Sequence, residues 1–303
     1  MPVSNAIDSR VGVVAHATDP DIDATAAELA PLVDADRVGP NVAVSGVAPL
    51  DGATATDLAF STYDDSAPIA DSDAGVVVAP TDVSIPAGRA ALRSPEPKRD
   101  FVRLLREYVG DGATPGVHPT AVVSDDAELG TDCVVGPNAR IGPSVVLGDR
   151  VVVAAGCALG GPGFGLVRTR DDEPVRQPHF GTVRVGDDAE LGANCTIDRA
   201  PFDETEVEHG AKLSARVHVA HGARIGADAT VAFGAGVAGS STIGERATVH
   251  PHAAVATDVV VGDDAEIGMG ADVLDDVPAG VRVVGSPARV VGSPPRRADG
   301  DER

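Results

Sequence analysis

Large aromatic side chains are nearly missing from this chain, which has no Trp, two Tyr and six Phe among 303 residues. Such rings supply much of the buried area of a conventional core, so the apolar mass must come from Val, Ala, Ile and Leu. Basic charge is scarce as well. Lys98 and Lys212 are the only lysines, and Lys plus Arg total 24 against 46 Asp plus Glu, for a net charge of −22. That balance excludes the basic stripe that nucleic-acid binding requires. It also opposes docking to an acidic carrier protein unless the arginines cluster. Two readings of the charge stand: an ordinary acidic soluble protein, or adaptation to a salt-rich cytoplasm in which ions screen self-repulsion. The near-absence of lysine favours the second. Three cysteines, an odd number, imply no disulfide framework. Residues 1–20 lack a basic start followed by an apolar block, so no secretion signal is read there. The longest uncharged stretch, Val151–Val167, is Gly-rich and falls on a repeat, which explains it better than a membrane span does. A cytoplasmic location is expected.

What the chain has in abundance is a six-residue beat. Aliphatic residues recur at Val117, Val123, Leu129, Val135, Ile141, Leu147, Val153 and Leu159, then in a new phase at Val185, Leu191 and Ile197. After a four-residue slip they run unbroken from Val207 to Val273. Four residues past each anchor stands a small side chain, as at Ala139, Ala189, Ala223 and Ala253. The two columns are two residues apart across the unit boundary, the spacing of inward positions on a strand. Strand-and-corner units of six residues are the signature of a hexapeptide β-helix, three units closing one triangular coil of 18 residues. Cys133, Cys157 and Cys195 all fall in the small column, and so read as core fillers.

Two segments leave the beat: a loop insertion at 161–184, and a smaller bulge at Asp203–Glu206. Loops on a rigid scaffold are where binding groups collect. Residues 1–112 have no beat. Ser45–Leu50, Asp57–Phe60 and Ala74–Ala79 read as short strands. Lys98–Val109 reads as an amphipathic helix ended by Gly110, Gly112 and Pro115. The expected class is mainly β: a small N-terminal α/β domain at 1–112, a left-handed parallel β-helix at 113–275, and a C-terminal extension at 276–303, disordered from Pro294.

Several stretches resemble the UDP-3-O-acylglucosamine N-acyltransferases of lipid A synthesis. They are Val47-Ala-Pro-Leu-Asp-Gly-Ala53, Asp57-Leu-Ala-Phe60, Gly163-Phe-Gly165, Gln177-Pro-His-Phe-Gly181, Thr196-Ile-Asp-Arg199, Val219-Ala-His221 and Val237-Ala-Gly-Ser240. The resemblance implies a homotrimer with sites between neighbouring subunits, a uridine-binding first domain, and an acyl-thioester co-substrate. The donor would be acyl carrier protein or coenzyme A, the acceptor a UDP-linked amino sugar, with no tightly bound cofactor and no metal. This chain departs from the family at several points. Tyr63 and Ser66 stand where Asn and Tyr are usual, Asp258 replaces a second histidine, and Ser214-Ala215 replace an Asp-Asn pair. Asp276–Gly280 and Val284–Arg289 look like the tail of coenzyme A-dependent sugar acetyltransferases.

Amide formation from a thioester needs a base, donors for the developing oxyanion, and a groove that positions both substrates. His221 lies two residues past its anchor, at an outward corner. Imidazoles titrate near neutrality, so one can take a proton at working pH. Gly239 lies 18 residues later, which should stack it about 4.8 Å above. Its bare backbone suits an oxyanion donor. The resemblance points to the same pair as catalytic. A surface histidine beside a turn glycine is the alternative. His179, where the family commonly has Gln, lines the acceptor site or is an exposed loop histidine. Asp198 and Arg199 bind phosphate, orient the base, or form a structural ion pair. Phe60 stacks on uracil or ends a strand in the core, and Tyr63 is a substitute stacking ring. The other histidines, His218 among them, receive no role. Two rival functions remain: a non-catalytic sugar-nucleotide scaffold, and a metalloenzyme resembling the γ-class carbonic anhydrases, whose His-x4-His pair this chain lacks.

Overall fold

The computed structural model describes residues 22–109 and 114–293. The chain divides into two compact units, the division falling between Ala113 and Thr114. Gly110, Gly112 and the tail from Pro294, for which helix termination and disorder were expected, lie outside the described residues.

The first unit holds a five-stranded sheet in the order Asp36–Val38, Ala90–Ser94, Val76–Pro80, Asp57–Phe60, Gly46–Val47. The first pair is antiparallel and the rest are parallel. Val76, Val77, Val78 and Ala79 are all buried, as a central parallel strand covered on both faces requires. Alternate residues serve opposite cores. Leu58, Val76, Val78 and Leu92 pack with Phe101 and Leu104 of the helix Pro97–Val109, while Ala59, Val77 and Ala79 pack with Ile69. The strand expected over Ser45–Leu50 is confined to Gly46–Val47. Pro49 has no N–H to give a ladder, and its carbonyl closes a turn onto Gly52 N at 3.0 Å.

The second unit is a parallel β-helix with three sheets of ten, eight and seven strands. The 18-residue coil is visible in the register, where Val135 pairs with Val153, Val219 with Val237 and Ile225 with Ile243. Both inward columns form one continuous core that includes the three cysteines, which are free thiols. Val117 is the exception, 49% exposed, because its strand is the terminal one of its sheet.

The corners explain the composition. Three residues past the anchor the backbone takes positive φ, for example at Asn138, Asp188, Asp228 and Ser240. Asn, Asp and Gly tolerate that region best. The glycines directly after the anchors have a different cause. A Cβ on Gly226 would stand 2.7 Å from Glu245 N of the next coil.

The insertion leaves the coil after the strand Ala158–Pro162 and forms an antiparallel hairpin, Leu166–Arg168 with Pro174–Arg176. The coil resumes at Thr182, and Leu159 then pairs with Ile197. The smaller bulge lies at 200–203, earlier than expected, because Glu204–Val207 pairs in full register with Thr182–Val185. The coil also continues past 275. Arg282–Val284 adds a further parallel strand, followed by an antiparallel one, Arg289–Gly292.

Candidate active site

One edge of the β-helix collects the expected site residues of this unit. It is the corner that follows the strands Ala158–Pro162, Thr196–Arg199, His218–Val219 and Gly236–Val237, stacked in that order. The insertion leaves from the first of these, the bulge from the second, His221 from the third and Gly239 from the fourth.

Val219 pairs with Val237, so His221 and Gly239 occupy equivalent places on adjacent coils. The Ser240 N–H donates to His221 O at 3.0 Å and fixes the stack. A Cβ on Gly239 would lie 2.6 Å from His221 Cε1, 3.0 Å from Nε2 and 3.1 Å from Nδ1. The imidazole therefore rests directly against the glycine, outside the aliphatic core. Among the described residues, nothing is hydrogen bonded to that ring.

The Gly239 amide is informative. It sits two residues past its anchor, where the N–H points outward. On another edge, carboxylates of the next coil take the equivalent amides: Thr131 N donates to Asp149 Oδ1 at 2.7 Å and Glu245 N to Asp263 Oδ1 at 2.9 Å. Among the described residues no acceptor takes the Gly239 N–H.

The hairpin insertion supplies the other side. His179 is 3% exposed, and its ring stands edge-on to His221 with centroids 5.1 Å apart. His179 Nδ1 is 2.9 Å from Gln177 O, whereas Nε2 is buried without a partner. Gly163 lies against both rings, since a Cβ there would be 2.8 Å from His179 Nε2 and 2.8 Å from His221 Cδ2.

Asp198, half-buried on the strand beneath, faces three imidazoles. Burial pushes its carboxyl above the usual carboxylate range, and the nearby His218, His221 and His179 pull it partly back. His218 Nε2 is 3.8 Å from Asp198 Oδ2, and His218 Nδ1 is 2.7 Å from Thr196 Oγ1. No sequence pattern singles out His218. Its place on an outward strand position next to Asp198 follows only from the 22-residue register that the bulge creates, with Thr196 opposite His218. Arg199, the next residue, has its Nε buried without a partner. Phe60 and Tyr63 belong to the other unit. There Phe60 packs on Phe101, with centroids 4.9 Å apart, and Tyr63 is 60% exposed. No group of His, Cys, Asp and Glu among the described residues is arranged to hold a metal ion. No helix among them is long and apolar enough to cross a membrane.

The arrangement offers a proton acceptor, a free backbone donor and a counter-charge at one surface edge, which is equipment for acyl-group chemistry. Comparison with known proteins agrees. Residues 126–161 match the bacterial transferase hexapeptide (six repeats) family. A protein of Anaeromyxobacter sp. named UDP-3-O-acylglucosamine N-acyltransferase is 31% identical over 239 residues, covering 64% of this chain and 68% of that protein. The chain belongs to the UDP-3-O-acylglucosamine N-acyltransferase family. A member from Aromatoleum aromaticum is 45% identical over 65 residues, and there the match spans 22% of this chain and only 19% of the relative's length. Among solved structures, the UDP-N-acetylglucosamine acyltransferase of Bacteroides fragilis superposes with a TM-score of 0.50 at 22% identity, covering 59% of this chain and 74% of that one. That likeness is one of fold, the left-handed parallel β-helix.

Proposed function

We propose that the protein moves an acyl group from a thioester donor to the amino group of a UDP-linked amino sugar. The observation that carries this is the His221 imidazole lying against Gly239, whose N–H is untaken. The amine attacks the thioester carbonyl, His221 removes a proton from the attacking nitrogen, and the Gly239 N–H holds the oxyanion of the tetrahedral intermediate. The intermediate collapses with loss of the thiolate, which takes the proton back from the imidazolium. Asp198 offsets the charge on the imidazole while it is protonated. His179, Asp198 and Arg199 line the acceptor side. For uracil stacking we assign the partly buried Phe60 and the exposed Tyr63 of the first unit.

The donor is acyl carrier protein or coenzyme A, with no tightly bound cofactor. Three reduced, buried cysteines fit a cytoplasmic setting. The assembly we propose is a homotrimer. Two positions past each anchor, one edge of the β-helix is uncharged, with Pro137, Ala155, Ala193, Ala215, Phe233 and Met269, the last 72% exposed. The edge with Asp149, Asp187, Glu245 and Asp263 at the same positions suits water instead.

The test is a high-salt assay that pairs UDP-amino sugars with coenzyme A and carrier-protein thioesters. His221→Ala should lose a factor of about 100 or more, the scale of a general base. Turnover near the wild-type rate in that variant would remove His221 from the mechanism. Sedimentation should give a mass near three times 30.5 kDa.

A further inference from the structure

A base and an oxyanion donor account for His221 and Gly239 but leave His179 unexplained. Its Nδ1 lies 2.9 Å from the Gln177 carbonyl. A carbonyl oxygen can only accept, so Nδ1 carries the hydrogen and Nε2 of the neutral ring bears a lone pair. That nitrogen is buried and has no partner among the described residues. A buried acceptor left unmade is costly, and in a native protein it calls for an explanation.

The position of Nε2 supplies one. The point one bond out from Gly163 Cα lies 2.8 Å from His179 Nε2 and equally far from His221 Cδ2. The two imidazoles are therefore within twice that distance of each other, both beside a place where the chain carries a hydrogen instead of a side chain. Gly163 and Gly165 flank Phe164, which is 75% exposed, so the turn that covers Nε2 is held by no buried side chain of its own.

We propose that His179 Nε2 accepts a hydrogen bond from the attacking nitrogen, and that this pair of imidazoles selects an amine over a hydroxyl as the acyl acceptor. The inference rests on the acyl-transfer reading above and deepens it. A neutral primary amine brings two hydrogens. As the N–C bond forms and the C–S bond breaks, one of them passes to His221 and then to the departing thiolate. The other stays on the amide nitrogen, and His179 holds that one throughout. A hydroxyl brings a single hydrogen, which the base takes, and leaves His179 Nε2 buried and unpaired. A site built around a polar partner rejects the analogue that lacks it. Reaching Nε2 requires the Gly163–Gly165 segment, whose Gly165 carbonyl accepts from Gln177 N at 2.8 Å, to move aside.

Two measurements on the full-length protein decide the matter. The first needs no substrate: nitrogen-15 NMR of histidine-labelled protein, with His179→Gln to assign the signal. His179 should read as the Nδ1–H tautomer with a bare Nε2, and the opposite tautomer overturns the proposal. The second compares kcat/KM for a UDP-amino sugar and for the UDP-sugar with a hydroxyl at the same carbon. His179→Leu should lower the amine-to-hydroxyl ratio about tenfold, the scale of one hydrogen bond in a dry site. His179→Gln keeps an acceptor oxygen and should hold the ratio within about threefold. Thermal melts confirm that both variants fold. Wild-type transfer to the amine with an unchanged ratio in His179→Leu overturns this proposal alone. A wild-type protein that acylates neither acceptor overturns the acyl-transfer reading along with it.

Discussion

Gly239→Ala is the sharpest probe of the site, because the structure fixes what one added methyl group does. No positive φ constrains Gly239, so alanine fits its backbone without strain. The new Cβ would meet His221 Cε1 at 2.6 Å, where ordinary carbon contact begins near 3.4 Å. The imidazole must therefore retreat by about 0.8 Å or turn on its side-chain bonds. A displacement of about 1 Å at a reacting group can cost about 100-fold in rate, while a surface corner that gains one methyl group should keep its stability to within about 0.5 kcal/mol. Gly236→Ala is the control, since a Cβ there meets nothing within 4 Å and the residue lies on the strand that leads into the Gly239 corner. Release of free thiol from the acyl donor, followed with a thiol reagent, reports kcat for either donor. The expected result is a loss near 100-fold for Gly239→Ala with an unchanged melting temperature, and wild-type kinetics for Gly236→Ala. A Gly239→Ala protein with wild-type kcat and KM would remove this pair from the chemistry, because the imidazole would then not need the place in which it lies.

Asp198→Asn should separate stability from activity. Burial raises the Asp198 carboxyl above the ordinary range despite three nearby imidazoles, so the native state binds this proton more readily than the unfolded chain does. Stability is then lost as pH rises from the ordinary carboxylate range through the raised value, and the cost persists above it. Removing the charge should leave the neutral-pH melting temperature no lower than wild type and abolish that part of the pH slope, while kcat falls about tenfold as the imidazolium loses its counter-charge; a lower melting temperature with full activity would contradict this. In the core, Ile225→Ala removes a fully buried anchor and should cost about 2–5 kcal/mol by denaturant titration. With a net charge of −22, raising KCl from about 0.1 to 1 M shortens the screening length from about 10 to 3 Å and should raise the melting temperature; a flat or falling curve would sink the salt-adaptation reading.

The repeat was legible because it states one rule many times. Aliphatic residues at every sixth place and small ones two before them can be satisfied only by a coil whose period is 18, and that period alone put Gly239 over His221. The parts that stayed hidden are those where the rule lapses. Nothing in the spacing of Ala200-Pro-Phe-Asp203 said on which side of Glu204 the chain would bulge; pairing with Thr182–Val185 decided it. His218 was passed over for the same reason. In an unbroken coil, residue 214 would stand opposite Thr196, and the four added residues bring His218 there, beside Asp198, instead. In the first unit, Ala90–Ser94 was missed because Ala-Ala-Leu-Arg-Ser carries no β-branched or aromatic residue, while its neighbour of equal length, Val76–Pro80, was found from its valines.

The lapses also share an address. The β-helix gains residues over its six-residue rule twice, after Pro162 and after Arg199, and both additions leave from the same edge on consecutive coils. The next two coils on that edge are regular and carry His221 and Gly239. A repeat that had only drifted would scatter its insertions over three edges. Concentrating them on one gathers side chains at a single edge: the insertion brings the His179 ring edge-on to His221, and the bulge slides Asp198 and His218 into range of each other. The unsatisfied buried Nε2 of His179 lies on the first of these segments, and the buried Nε of Arg199 at the strand end from which the second leaves. Local rules broken together, at the cost of unmet hydrogen bonds, are where a fold gives up stability for a task. That coincidence argues for a working site on this edge independently of any sequence likeness.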